Sequence, residues 1–482
     1  MAIQPKTPGV FIQERDAFPA SIVGVETAAP VFIGYTETAE QSGRPVHLQP
    51  VRISSLRDYE ATFGGPFVHP FRLTALSTTT VGGKREVKLG GKIYRLDPVK
   101  QFYLYNGLRL FFANGGGPCY VVSVGTYDAA RVLQADLAAG LTAVHDLVGP
   151  TLLVIPELVL LYDPSLPADN DADCRAVAET MLQQCADRAD RFALLDVWGA
   201  EAGMPVDTQI DRFRGGFAGV APNARSYGAA YFPFLTTSLV DPANTKEVSY
   251  TTLDAASLAI LRAALPGAAL DANNPTVKNL HAVMAEAIGT LPPSAAMAGI
   301  YAMNDAMRGV WSAPANVGFN DVRGPIIPIS DATQDDLNVP LDGLAVNTIR
   351  DFVGRGTLVW GARTLDGNDN DLRYIQVRRT LIYIGQSIKL SLEAFAFEPN
   401  VAQTWTAVMA TINGFLRQIW QASGLMGAKP QDAFAVLCGL GSTMTAQDVA
   451  DGNMNVRVSL SMIRPAEFIQ LTFTQKVVGE AG

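Results

Sequence analysis

From Val401 onward, apolar side chains return at Trp405, Val408, Ile412, Phe415 and Ile419. That three-and-four spacing predicts one amphipathic helix from Asn400 to Ser423, with Asn400 as N-cap and Gly424 as stop. At 100° per residue the opposite face carries Thr406, Ala410, Asn413, Gly414, Arg417 and Gln421. It is small, polar and nearly uncharged, which suits close approach by another protein and equally a plain solvated surface. Upstream, Val377, Leu381, Ile384, Ile388 and Phe395 predict a second long helix. Towards the C-terminus the period drops to two. Val456, Val458, Leu460 and Met462 alternate with Arg457, Ser459 and Ser461, Pro465 interrupts, and Ile469, Leu471 and Phe473 alternate with Gln470, Thr472 and Thr474. Two strands are predicted. The last needs a sheet to tie it down, in its own molecule or another.

The rest of the chain reads as helix and buried strand in alternation, the grammar of an α/β fold. Strands are predicted at Val31 to Tyr35, Cys119 to Val124, "TLLVIP", "RFALLDV" and "GTLVWGARTL". A short helix follows Ser55, with Asp58 three residues on and Gly64-Gly65 as stop. A helix ends at Asn114-Gly115, and another carries Val177, Met181 and Cys185 four apart. Val87 and Leu89 face Ile93 and Tyr94 across Gly90-Gly91, a hairpin with a two-residue turn. "TPGVFIQERDAFPAS" has no room for a helix and reads as an extended arm. No repeat and no low-complexity tract is found.

At 482 residues the chain should hold roughly three domains. Charged residues are only 17% against 48% hydrophobic, the balance of a subunit with much of its surface covered by neighbours. A formal charge of −9 argues against a nucleic-acid partner. Cys119, Cys174, Cys185 and Cys438 form no CxxC pair and read as buried free thiols kept in a reducing compartment. The N-terminus lacks a secretory pattern, and "TLLVIPELVLLY" falls far short of the roughly 20 residues a bilayer needs, so synthesis and folding in the cytoplasm are expected.

Candidate chemistry does not assemble. His47, His69, His145 and His281 fall in no HxxxH or HExxH spacing, so no metal site is expected. "NGGGPC" and "GGKREVKLGGK" fail the phosphate-loop pattern, "GLGSTM" fails GxGxxG, and no serine stands in a GxSxG elbow. "DPSLPADNDAD" lacks the Gly and Glu of a calcium loop. No catalytic residue and no cofactor is predicted.

A series of segments nevertheless resembles one family, the contractile tail sheath proteins of phage tails and related injection systems. They are "TPGVFIQE", "APVFIGYTE", "VRISSLRDYEATFGG", "LRLFFANGGGPCYVVSVG", "DRFALLDV", "YGAAYFPFL", "LPPSAAMAGIYA", "GVWSAPAN", "DDLNV", "FVGRGTLVWGARTL", "VRRTLIYI", "FEPN", "GAKPQDAF" and "RPAEFI", in order over nearly the whole chain. The wording is nearest to the extracellular, phage-tail-like systems.

The resemblance implies a multidomain α/β (α+β) structural protein that is not an enzyme, stacked as hexameric rings around an inner tube and contracting to drive that tube through a target envelope. It implies an N-terminal arm at 1–25, an α/β part at 26–126 with a hairpin insertion near 66–98 that lies toward the outside, and a middle subtilisin-like α/β domain without protease activity at 127–324. An inner sheath domain at 325–464 joins material from both termini, and a C-terminal strand arm follows at 465–482. Strand exchange between subunits falls on Val10, Phe11, Ile12, Phe468, Ile469, Leu471 and Phe473. The tube-facing helix is the one carrying Thr406, Ala410, Asn413, Arg417 and Gln421. In the family that contact is usually charged; here Arg417 is the one charge. The implied partners are further copies of the chain, an inner tube protein, baseplate and cap proteins and sheath paralogues, with no nucleic acid and no membrane insertion. The particle would be assembled in the bacterial cytoplasm, as a phage tail or a releasable phage-tail-like device. Two other readings stay open: a hydrolase built on the middle domain, and another tail component such as a tube or cap protein.

Overall fold

The computed structural model describes residues 22–77, 83, 85–162, 171–199, 205–244, 246–267, 270–271 and 273–468. The chain divides into two compact units. One is Glu26–Ile382 with Arg464–Gly482, the other Tyr383–Ile463 with Met1–Val25.

The large unit is built on an eight-stranded sheet. Its order is Gly356–Trp360, Val346–Phe352, Gly228–Phe232, Phe192–Asp196, Leu152–Val154, Pro30–Thr36, Cys119–Thr126 and Val51–Ile53. The inner six strands run parallel and the two edge strands antiparallel. Every residue of Pro30–Thr36 is buried, as a strand covered on both faces requires. Phe32 meets the Phe111 ring of the Leu104–Ala113 helix at 5.1 Å, while a side chain at Gly140 of the Gln134–Ala143 helix would strike Ile33. Consecutive strand residues point to opposite faces, so these helices cover opposite sides of the sheet. The first packs with Ser294–Arg308 and the second with Ala172–Arg188. All four cysteines are buried and free.

This sheet takes strands from both sides of residues 127 and 325, so a sequence partition at those positions runs through one folded body. Parallel strands joined by crossovers need not be neighbours in sequence, and glycine and proline clusters mark loops without marking domains. The 66–98 insertion also holds more than a hairpin. Phe71–Ala75, Lys92–Pro98 and Glu86–Leu89 form a three-stranded sheet, packed on the Ala255–Ala264 and Pro275–Ile288 helices around a second core.

Two buried carboxylates tie the large unit together. Glu157 accepts the backbone N–H of Tyr35 (2.8 Å), Tyr103 (3.1 Å) and Leu104 (3.2 Å), capping the Leu104–Ala113 helix that Tyr103 itself leaves without a side-chain cap. Burial pushes its carboxyl up to about 8 against those three donors. Asp305 pairs with Arg379 at 2.6 and 2.9 Å, and Arg379 also donates to the Thr27 carbonyl. This gives one arginine of "VRRTLIYI" a structural place, while the other, Arg378, lies 4.0 Å over the Tyr227 ring.

In the small unit the Ala402–Gln421 helix buries Val408, Thr411, Ile412, Phe415, Leu416 and Ile419. Its start differs from the sequence reading. The N-cap position is Val401, without a side-chain cap bond, and not Asn400. The Asn400 amide is taken elsewhere, accepting from the Trp405 indole (2.7 Å) and donating to the Asn453 carbonyl (3.0 Å). Likewise Phe395 falls in the 3-10 turn Glu393–Phe395, after the Ile375–Leu392 helix has ended. The N-terminal segment joins this unit through Val25, whose N–H donates to Ser387 Oγ (3.1 Å), and through Gly24, where a side chain would run into the Tyr383 ring.

Candidate assembly surfaces

The five residues assigned to a partner-facing helix do share one face. Thr406, Ala410, Arg417 and Gln421 are exposed and Asn413 is half-buried. Thr406 donates to the Ala402 carbonyl and Asn413 to the Met409 carbonyl, so two of the polar groups are satisfied within the helix. Arg417 makes no ion pair among the described residues and is the helix's one charge. The surface is therefore shallow and weakly polar, able to be approached closely at small desolvation cost.

Beside it, Phe434–Leu437 pairs with Arg457–Leu460 in a two-stranded antiparallel ribbon, Val436 opposite Val458 and Phe434 opposite Leu460. The alternation at 456–460 is as the sequence requires: Val456, Val458 and Leu460 are partly buried, Arg457 and Ser459 exposed. The partner strand was hidden in "FAVL", four residues too short for a periodic signal. Among the described residues neither outer edge of the ribbon is covered by a third strand. Two strands alone are marginal in water, and an open edge is a template for another chain.

Of the residues assigned to exchanged strands, Val10, Phe11, Ile12, Ile469, Leu471 and Phe473 lie outside the described residues. Phe468 is described, with 71% of its surface exposed. Immediately before it stands a group that sequence reasoning missed. Glu467 accepts both arms of the Arg363 guanidinium, at 3.0 and 2.7 Å, together with the Asn338 amide (2.6 Å) and the Tyr374 hydroxyl (3.0 Å). Burial works to raise the Glu467 carboxyl, but these donors outweigh it and hold the group below the usual carboxylate range. The chain is thus clamped to the large unit one residue before Phe468. In sequence, "RPAEFI" shows a lone acid, and nothing near it announces its arginine.

The hydrolase reading has one geometric point in its favour. Asp196, at the end of its strand, accepts the Ser294 backbone N–H at 2.7 Å, and burial pushes its carboxyl up to about 7. Ser294 opens the Ser294–Arg308 helix, so the contact caps a helix that lacks a side-chain cap of its own. No histidine joins them. His281 accepts from the Tyr250 N–H, His145 contacts Asp146, and buried His69 packs on Phe67. Among the described residues no group of His, Cys, Asp and Glu could hold a metal ion, and no helix is long and apolar enough to cross a membrane.

Residues 367–476 match the phage tail sheath C-terminal domain. No curated protein matches the chain. Among solved structures, it is similar to the PVC sheath complex of an extracellular contractile injection system in the contracted state, 28% identical over 99% of each chain with a TM-score of 0.64. It is similar to the helical sheath of the anti-feeding prophage in the contracted state, 27% identical over 98% of this chain and 100% of that one, TM-score 0.62. A chain of the contracted anti-feeding prophage baseplate is 25% identical over 99% and 100%, TM-score 0.67. The chain thus carries a match to the phage tail sheath C-terminal domain at 367–476 and is similar along its whole length to sheath chains of contractile injection systems, a likeness that supports a structural, non-enzymatic role.

Proposed function

We propose that copies of this chain polymerise as stacked six-membered rings around an inner tube, anchored on a baseplate and closed by a cap, and contract to drive the tube through a target envelope. The likeness over 99% of the chain to a sheath in its contracted state carries the reading. In this view the α/β body to which residues 127–324 contribute is subtilisin-like and without protease activity, and the two terminal arms lend strands to adjacent subunits. Val10, Phe11 and Ile12 at one end, and Phe468, Ile469, Leu471 and Phe473 at the other, supply those strands. The open ribbon at 434–437 and 457–460 is their receptor. Each backbone bond gained there contributes only about 0.5–1.5 kcal/mol, but repetition through a lattice makes the connection multivalent.

The Thr406, Ala410, Asn413, Arg417 and Gln421 face meets the tube. Its single charge favours weak attachment, which contraction must break. The particle is a phage tail or phage-tail-like injection device assembled in the bacterial cytoplasm and releasable from it, and sheath paralogues can share its sleeve.

Negative-stain microscopy of the full chain and of a chain ending at Phe468, which keeps the Glu467 clamp, tests the reading. Striated hollow tubules from the first and none from the second, both folded by circular dichroism, are expected. Tubules from both would refute strand exchange by the C-terminal arm. Discrete particles from the full chain, alone and with its tube protein, would refute polymerisation.

A further inference from the structure

The sheet at 71–98 concentrates positive charge on an acidic molecule. Those residues hold six Lys and Arg against Glu86 and Asp97, a net of +4 in a chain of formal charge −9, so the remainder sums to −13. The register explains how the charge is presented. Val87, Leu89, Tyr94 and Leu96 enter the second core, which sends Arg72, Lys88 and Arg95 to the other face, where Ile93 is the buried exception. Gly90 and Gly91, with φ of 54° and 81°, make the turn that places Lys92 at the tip. Arg72 pairs with Asp254 and Arg95 with Asp97, whereas Lys88 and Lys92 are exposed and make no ion pair among the described residues.

Copies of a chain carrying −9 repel one another, and packing them into a lattice brings surfaces within the Debye length of about 8 Å. A local +4 is where such copies can approach. Its complement lies elsewhere on the large unit. The Asp331–Asn338 helix and the loop after it carry Asp331, Asp335, Asp336 and Asp342 with no Lys or Arg over 330–342. Asp331 and Asp342 have 91% and 46% of their side chains exposed, and Asp335 is exposed as well. Arg350 and Arg214 engage part of this charge and leave an acidic surplus. Asp331 and Asp335, four apart, share one helix face.

We propose that the turn end of the 71–98 sheet, through Lys88 on its outer face and Lys92 beside the Gly90-Gly91 turn, docks on the Asp331–Asn338 helix of a second copy of this chain. The two surfaces differ, so the contact is heterologous and propagates from copy to copy instead of closing a pair. It rests on the sheath reading and adds an electrostatic contact to the strand-mediated one.

The test compares self-association of the full-length K88E/K92E, D331K/D335K and quadruple charge-swapped chains, by sedimentation and negative stain, at low and high salt. Each double variant should raise the concentration needed for assembly by about tenfold, the scale of a few exposed ion pairs. The quadruple variant should restore it, and high salt should blunt the differences. Double variants that assemble like the wild type, loss in one double only, or a quadruple variant that fails to recover would each overturn the contact. So would loss of binding to phosphatidylglycerol vesicles in K88E/K92E with assembly unchanged, which would assign the basic face to a membrane. A wild-type chain that never self-associates overturns the sheath reading as well; one that assembles while every charge variant matches it overturns this contact alone.

Discussion

Replacing Glu467 with Ala should expose how much the clamp before Phe468 contributes. Arg363 keeps only 5% of its side chain in water and Glu467 18%. Breaking a buried pair from one side costs about 3–5 kcal/mol, because the remaining charge stays desolvated and unpaired. Glu467's partial exposure puts the expected loss near the lower end, about 3 kcal/mol. Arg363→Met with Glu467→Ala removes both charges and should recover most of it. Urea unfolding of the wild type, the two single variants and the double gives the coupling energy directly. The sign with pH follows from a depressed carboxyl pKa: the contribution is complete above the unfolded value near 4.3 and disappears as pH falls through the lower folded one. The coupling should therefore be large at pH 7 and shrink below about pH 4. Arg363→Lys, which keeps the charge but not the fork, should retain only part. A coupling below about 0.5 kcal/mol at pH 7 would refute the clamp as an energetic anchor.

Buried His69, which desolvation pushes down to about 4, stabilises the fold in its neutral form. Its contribution is full above the unfolded value near 6.5 and lost as pH falls, about 2 kcal/mol of it by pH 5; urea midpoints at pH 7 and pH 5 should draw together in His69→Leu. Ala410→Trp, on the exposed helix face, should change stability by no more than about 0.5 kcal/mol yet abolish co-sedimentation with the tube protein; co-sedimentation at wild-type level would remove that face from the tube contact.

What the sequence announces here is local, and what it withholds is pairing. The run "PVFIGYT" could only be a strand covered on both faces, and Gly90-Gly91 between alternating residues could only be a tight hairpin. Ser55 is as legible, since its hydroxyl does accept the Asp58 N–H at 3.2 Å. Asn400 was misread for a physical reason: residue type makes it the better cap, but the Trp405 indole claims its side-chain oxygen, and that competition is absent from propensity. The three-residue strand at 51–53 has no period to read, the one at 152–154 shows only as the apolar run "TLLVIP", and their places beside Cys119–Thr126 and Pro30–Thr36 follow from tertiary packing. The same holds for the assembly surfaces. Helical spacing gives the face of Thr406 through Gln421, because a face is a property of one element. The ribbon needs Phe434–Leu437 to find a strand some twenty residues on, and the clamp needs Glu467 to find an arginine over a hundred positions back. A carboxylate that sits between a proline and an apolar run looks, in sequence, like a solubilising interruption. Its three donors fix it to the large unit just before Phe468, so under the proposed strand exchange the lattice would be rooted, at this end, in charge pairing and not in apolar burial.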